Sequence, residues 1–112
     1  MYSVYTIALK NEKYFLINTC SNPQANTEYP CIYLPDFSMD EVIEFFSNFD
    51  NEWLQLHKPL YVVSKLYGDD EELHHQLIYW IRKKGIENVR GGMASSVVLD
   101  EDIIQTLLSE KY

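Results

Sequence analysis

Pro23, Pro30 and Pro35 fall within one stretch, residues 18–37, that is otherwise rich in Asn, Ser and Thr. Proline has no backbone N–H, and its ring clashes with the preceding helical turn, so no long helix can cross this stretch. In a chain of 112 residues, enough for one domain, the regular elements must therefore lie on either side of it. The exception is a short strand at Ile32, Tyr33 and Leu34. A loop of this length is uncommon unless it is functional or packed.

On the N-terminal side, residues 2–9 alternate large apolar with small side chains. Asn11-Glu12 breaks the run, and Tyr14-Phe15-Leu16-Ile17 resumes it. Two strands joined by a short turn make a hairpin, although the favoured Asn-Gly pair is missing from the turn. On the C-terminal side, Ser38-Met39-Asp40-Glu41 has the spacing of a capping box. Val42, Phe45, Phe46 and Phe49 then recur at i, i+3, i+4 and i+7, the apolar face of a core-packing helix. Leu60 to Val63 after Pro59 reads as a third strand. Asp69-Asp70-Glu71-Glu72 opens a second helix that runs to Lys84, with Leu73, Leu77, Trp80 and Ile81 inward and Gly85 as its stop. Its acidic start and its Arg82-Lys83-Lys84 end suit the helix dipole. Asp100 can cap a last helix carrying Ile103, Ile104, Leu107 and Leu108. The order implies one α+β domain over 1–112, a three-stranded antiparallel sheet packed by helices.

Nine Lys+Arg against 17 Asp+Glu leave a net charge of −8. That argues against a general binder of phosphate backbones, whose affinity comes from cations displacing counterions, but it leaves room for a local basic site. No apolar run approaches the roughly 20 residues of a membrane span. The N-terminus carries no signal-like core, and Cys20 and Cys31 lack zinc spacing. The expectation is an intracellular, cytoplasmic chain with reduced thiols and no membrane contact. Whether the two cysteines pair stays open. His74 and His75 are adjacent, so on a helix they point about 100° apart and do not chelate one ion; His57 lies elsewhere. The acidic run 69–72 reads as a solvated helix start. Arg82, Lys83, Lys84 and Arg90 hold four of the nine positive charges. They are either a charged helix end or a local phosphate contact.

Tyr79 to Lys84 followed by Gly85-Ile86-Glu87-Asn88-Val89-Arg90-Gly91-Gly92 resembles a helix end and loop of small GIY-YIG-type domains, which are common in large DNA viruses and phages. Tyr2-Ser3-Val4-Tyr5 with Lys13 to Thr19, then Asn22-Pro23, Glu52-Trp53 and Lys58-Pro59-Leu60-Tyr61-Val62-Val63, agree in order. The resemblance spans about residues 2–98, leaving 99–112 as a C-terminal helix. It implies an ancestry among metal-dependent DNA endonucleases, in which two tyrosines, an arginine and a metal-holding glutamate act on a phosphodiester.

Matched position by position, the resemblance places the first tyrosine on Tyr5 and the metal glutamate on Glu72, or on Glu71 with a register shift. The second tyrosine falls on Phe15, which has no hydroxyl. The glycine falls on Ile17, and the arginine falls near Asn26, with no Arg before Arg82. Losing one electrostatic donor costs about 10²–10³-fold in rate. The first expectation is thus a catalytically degenerate, non-cleaving module for a protein partner, in a viral setting or in the cytoplasm, without a cofactor. The second is a weak or active nuclease that uses Tyr5, Glu72, Mg²⁺ or Mn²⁺ and an unconventional cation such as Arg82 or Arg90. The third is a non-catalytic nucleic-acid binder acting through Arg82, Lys83, Lys84 and Arg90. Tyr29, Tyr33 and Phe37 either fold back on the core or offer a surface for homo-oligomers.

Overall fold

The structure, a computed structural model, describes residues 2–20, 32–33, 38–68, 70–91 and 97–109. Strand β1 (Tyr2–Leu9) turns back into β2 (Lys13–Cys20) with Tyr5 opposite Ile17 and Ile7 opposite Phe15. The turn is one short 3₁₀ segment, Lys10–Glu12, in which Asn11 and Glu12 take φ of 67° and 60°. Asparagine tolerates that left-handed backbone; a glutamate there costs about 1 kcal/mol. The backbone N–H of Lys10 donates to the carbonyl of Lys58 at 3.0 Å, which ties the turn to the start of a third long strand.

That strand, β4 (Pro59–Tyr67), runs antiparallel along the other side of β1 and forms an edge. Two register shifts, beside Ile7 and Leu9, leave 64–67 as its longest regular stretch opposite β1. Two short strands share the outer edge of β2, both parallel to it. β3 (Ile32–Tyr33) pairs at Thr19 and Cys20, and β5 (Val89–Gly91) pairs at Tyr14 to Leu16. The α+β class holds, but the expected three-stranded antiparallel sheet does not: among the described residues the sheet has five strands and is mixed. Strands of two and three residues are too short to show periodicity, and their pairing is decided by distant residues. Cys20 closes β2 instead of sitting in a loop; Cys31, Leu34 and the aromatic residues Tyr29 and Phe37 lie outside the described residues.

Strand alternation sends β1 and β2 side chains to two cores. Towards one face point Tyr5, Ile7, Leu9 and Phe15, packed with Val42 and Phe46 of α1 (Met39–Ser47) and Trp53 and Leu54 of α2 (Glu52–Leu56). Towards the other point Val4 and Leu16, packed with Leu73, Leu77, Ile78, Trp80 and Ile81 of α3 (Asp70–Lys84) and Leu107 of α4 (Glu101–Ser109). Each large side chain so buried contributes about 1.5–3 kcal/mol.

The expected capping box is formed: Ser38 Oγ accepts from the Glu41 backbone at 3.3 Å, and Glu41 Oε1 accepts from the Ser38 backbone at 3.1 Å. Replacing Ser38 by Ala would cost about 1 kcal/mol. Gly85 ends α3 at φ 95°, as its position predicts. Three details differ from expectation. The five-residue helix α2 is absent from the sequence reading. Ile78 joins the buried face of α3. Leu108 is exposed, so α4 presents a narrower stripe than its four aliphatic residues suggest. Gly91 has a stricter reason to be glycine: a Cβ there would collide with the Leu16 carbonyl oxygen across the β2–β5 pair.

No helix among the described residues is long and apolar enough to cross a membrane.

Candidate functional site

The hairpin positions singled out by sequence come together, but inside the protein. Tyr5 and Phe15 are each 3% exposed, and Ile17 packs partly buried against the same cluster. The Phe15 ring meets the Phe46 ring of α1, with ring centres 6.2 Å apart. Above Tyr5 stands a cation of the protein itself. Lys65 Nζ lies 5.6 Å from the Tyr5 ring centre and 5.8 Å from that of Tyr67. Tyr14, beside Phe15, points to the opposite face as alternation requires, and stacks on Trp80 at 5.0 Å.

Glu72 does not join them. It rides on α3, which packs on the other face of the sheet, and its Oε1 accepts from Gln76 Nε2 at 3.2 Å. Asn26 and the Asn22-Pro23 pair lie outside the described residues. Among the described residues, no group of three or more His, Cys, Asp or Glu is placed to hold a metal ion.

Arg90 is placed on the Tyr5 face by β5. It is 6% exposed, with its guanidinium carbon 4.6 Å from the Trp53 ring centre. Its nitrogens donate to the carbonyls of Ile86, Val89 and Val97, the last two at 2.8 and 2.9 Å. Trp53 in turn donates its indole N–H to the Tyr14 carbonyl at 3.1 Å. Arg90 therefore clasps the loop around β5 to α2. Burial lowers its pKa from the ordinary arginine value, against the pull of nearby Glu87. A guanidinium stays protonated even so.

Arg82, Lys83 and Lys84 are exposed on the last turn of α3. Lys83 Nζ lies 5.3 Å from the Trp80 ring and 5.5 Å from that of Tyr79, and Lys84 Nζ lies 5.7 Å from that of Tyr14. The fold brings three further lysines to the same end. Lys13, next to Tyr14, bonds Asn88 Oδ1 at 2.5 Å. Lys10 is at the hairpin tip, and Lys58 is tied to it. Six Lys and Arg residues, with the enclosed Arg90 behind them, thus lie on segments that meet at one end of the sheet. Glu12, Glu52 and Glu87 share that end with them.

His57 reports the local field. Its Nδ1 is 3.3 Å from Asn11 Nδ2, and its ring lies edge-on to Trp53 at 4.6 Å. Desolvation first, then Lys13 and Arg90, hold its pKa below the ordinary 6.5. Arg82, Lys83 and Lys84 are legible in the sequence as a local basic group, whereas Lys10, Lys13, Lys58 and His57 carry no sequence signal of belonging with them. The antiparallel pairing of the third long strand with the first sets Lys58 beside Lys10.

Comparison with protein-family models, with curated proteins and with solved structures finds no match to this chain.

Proposed function

We infer that this chain is a non-cleaving binding domain on a GIY-YIG-like frame, one that engages a protein partner. The observation that carries the reading is the separation of Tyr5 from Glu72. Tyr5 is packed among Phe15, Phe46 and Trp53 with Lys65 over its ring, while Glu72 belongs to the helix on the opposite face. Phosphodiester hydrolysis in this manner needs a tyrosine hydroxyl, a metal-holding carboxylate and a cation around one phosphate. A lysine ammonium above the tyrosine ring opposes a divalent ion there.

The protein-partner half of the reading rests on β4. It is an edge strand of the described sheet, and its Leu60, Tyr61, Val63, Leu66 and Tyr67 are exposed, Tyr67 at 71%. Sheet edges usually carry charge or proline to discourage pairing, and β4 has Pro59 at its start and Lys65 within it. The exposed apolar side chains between and beyond them suit a partner that adds a strand and lays its own side chains on those of β4.

The test is incubation with supercoiled plasmid in millimolar Mg²⁺ or Mn²⁺. No nicking beyond a buffer control is expected. Nicking by the wild type that disappears in Tyr5→Phe would overturn the reading and restore the nuclease.

A further inference from the structure

The gathered cations lie far apart in sequence and serve no single structural duty. Those of α3 offset the negative end of its dipole. Lys10 and Lys13 belong to the hairpin and are remote in sequence from the end of α3, and Lys58 follows the short helix α2. Glu12, Glu52 and Glu87 offset part of this charge, and the cations that outnumber them there still favour a counter-charge from outside.

Aromatic rings run between the cations. Tyr14 stacks on Trp80, Tyr79 meets Trp80 edge-on at 5.6 Å, and Tyr79 is 51% exposed beside Lys83. Lysines interleaved with an exposed ring match a single strand of nucleic acid, in which phosphates and unpaired base faces are both on offer. A duplex keeps its base faces stacked inside and presents mainly phosphates, so it cannot use the Tyr79 ring.

We propose that this end of the molecule binds single-stranded nucleic acid, with phosphates against Lys13, Lys83 and Lys84 and a base on Tyr79. The site goes beyond the protein-partner reading and lies at the hairpin end, whereas the regular stretch of β4 runs to the other end of that strand. A chain of net charge −8 then binds a polyanion by local arrangement of charge, and the interaction is weak and strongly sensitive to salt.

Fluorescence anisotropy of fluorescein-labelled oligo(dT), about 20 nucleotides long, tests this with the full chain. Binding at ~50 mM KCl should weaken about 20-fold by ~200 mM, as about three neutralised phosphates of a single strand require. The double variant Lys83→Gln/Lys84→Gln should lose about tenfold in affinity and flatten the salt dependence. Tyr79→Ala should lose about tenfold with the salt dependence kept, because stacking releases no counterions. Lys65→Gln, at the far end of β4, makes half that charge change and should move affinity less than twofold. Circular dichroism of each variant should overlay the wild type, since these side chains are exposed; Lys84→Gln alone serves if the double variant unfolds. The proposal is overturned by undetectable binding at ~50 mM KCl, by an equal loss in Lys65→Gln, or by tighter binding to a duplex of the same length. Preference for vesicles of phosphatidylserine and phosphatidylcholine over the oligonucleotide would overturn it too and assign the cations to a lipid surface. The plasmid assay is independent of all these outcomes, so either conclusion can fail alone.

Discussion

The two faces of the sheet are built by different rules. The α3 face is a generic core: Val4, Leu16, Leu73, Leu77, Ile78 and Ile81 bury aliphatic surface, and Trp80 and Tyr14 close one end. Among the described residues, both buried side-chain polar atoms without a partner belong to this side, Thr6 Oγ1 by strand alternation and Trp80 Nε1 by its place in the cluster. The α1 face is specific. Phenylalanine rings from α1 pack edge-on to one another, Trp53 hydrogen-bonds β2, and Arg90 is buried with carbonyl partners and an indole beneath it. The face on which the family resemblance places Tyr5 is thus the one held by directional contacts. Those contacts fill the space that a substrate would need.

Arg90→Met is the strongest way to break this contrast. It keeps the length of the side chain but removes donors to Ile86, Val89 and Val97. The expected loss is on the order of 3 kcal/mol, because buried carbonyls are left unpaired. A urea denaturation midpoint unchanged from wild type would show that the α1 face is ordinary packing after all. Thr6→Val probes the other face in the opposite direction. Its hydroxyl is buried without a partner, so removing it should be neutral or stabilising by about 1 kcal/mol in the same measurement. A clear destabilisation would mean that the hydroxyl matters to the α3 face.

The smallest effect is pH dependence through His57. Burial, Lys13 and Arg90 lower its folded pKa below 6.5, while the unfolded chain takes up the proton near that ordinary value. Between the two, the unfolded state binds more protons, so stability falls as pH drops through about 6.5 and is flat above it for this group. An NMR titration should find the His57 ring titrating below the ordinary value, and Lys13→Ala should move it upward. Titration at or above 6.5 would remove the electropositive end from this part of the comparison.

Much of the secondary structure was legible because its causes are local. Hydrophobic alternation over residues 2–9 wrote β1, the Ser38–Glu41 spacing wrote the cap of α1, and Gly85 wrote the end of α3. Phe15 and Ile17 were legible as apolar side chains on one face of the second hairpin strand. What those side chains touch was not, since Phe46 and Trp53 reach them from helices some 30 or more residues away. Helix α2 was hidden because five residues show barely more than one turn of periodicity. The short strand expected at Ile32 to Leu34 is present at Ile32–Tyr33, but its parallel pairing to β2, and that of β5, was hidden because such pairing depends on chain crossovers and leaves no turn signal.

By itself the sequence determined the α+β class, a net charge of −8, the hairpin and the long helices. Backbone sterics and side-chain period act over a few residues and need no fold to be read. Tertiary structure alone decided that Arg90 is enclosed, that Tyr5 and Glu72 part company across the sheet, and that Lys13 meets Asn88 from 75 positions away. Electrostatic neighbourhoods are set by distance in space. Strand register and helix packing bring those residues together or hold them apart, and neither is written in the spacing of any one segment.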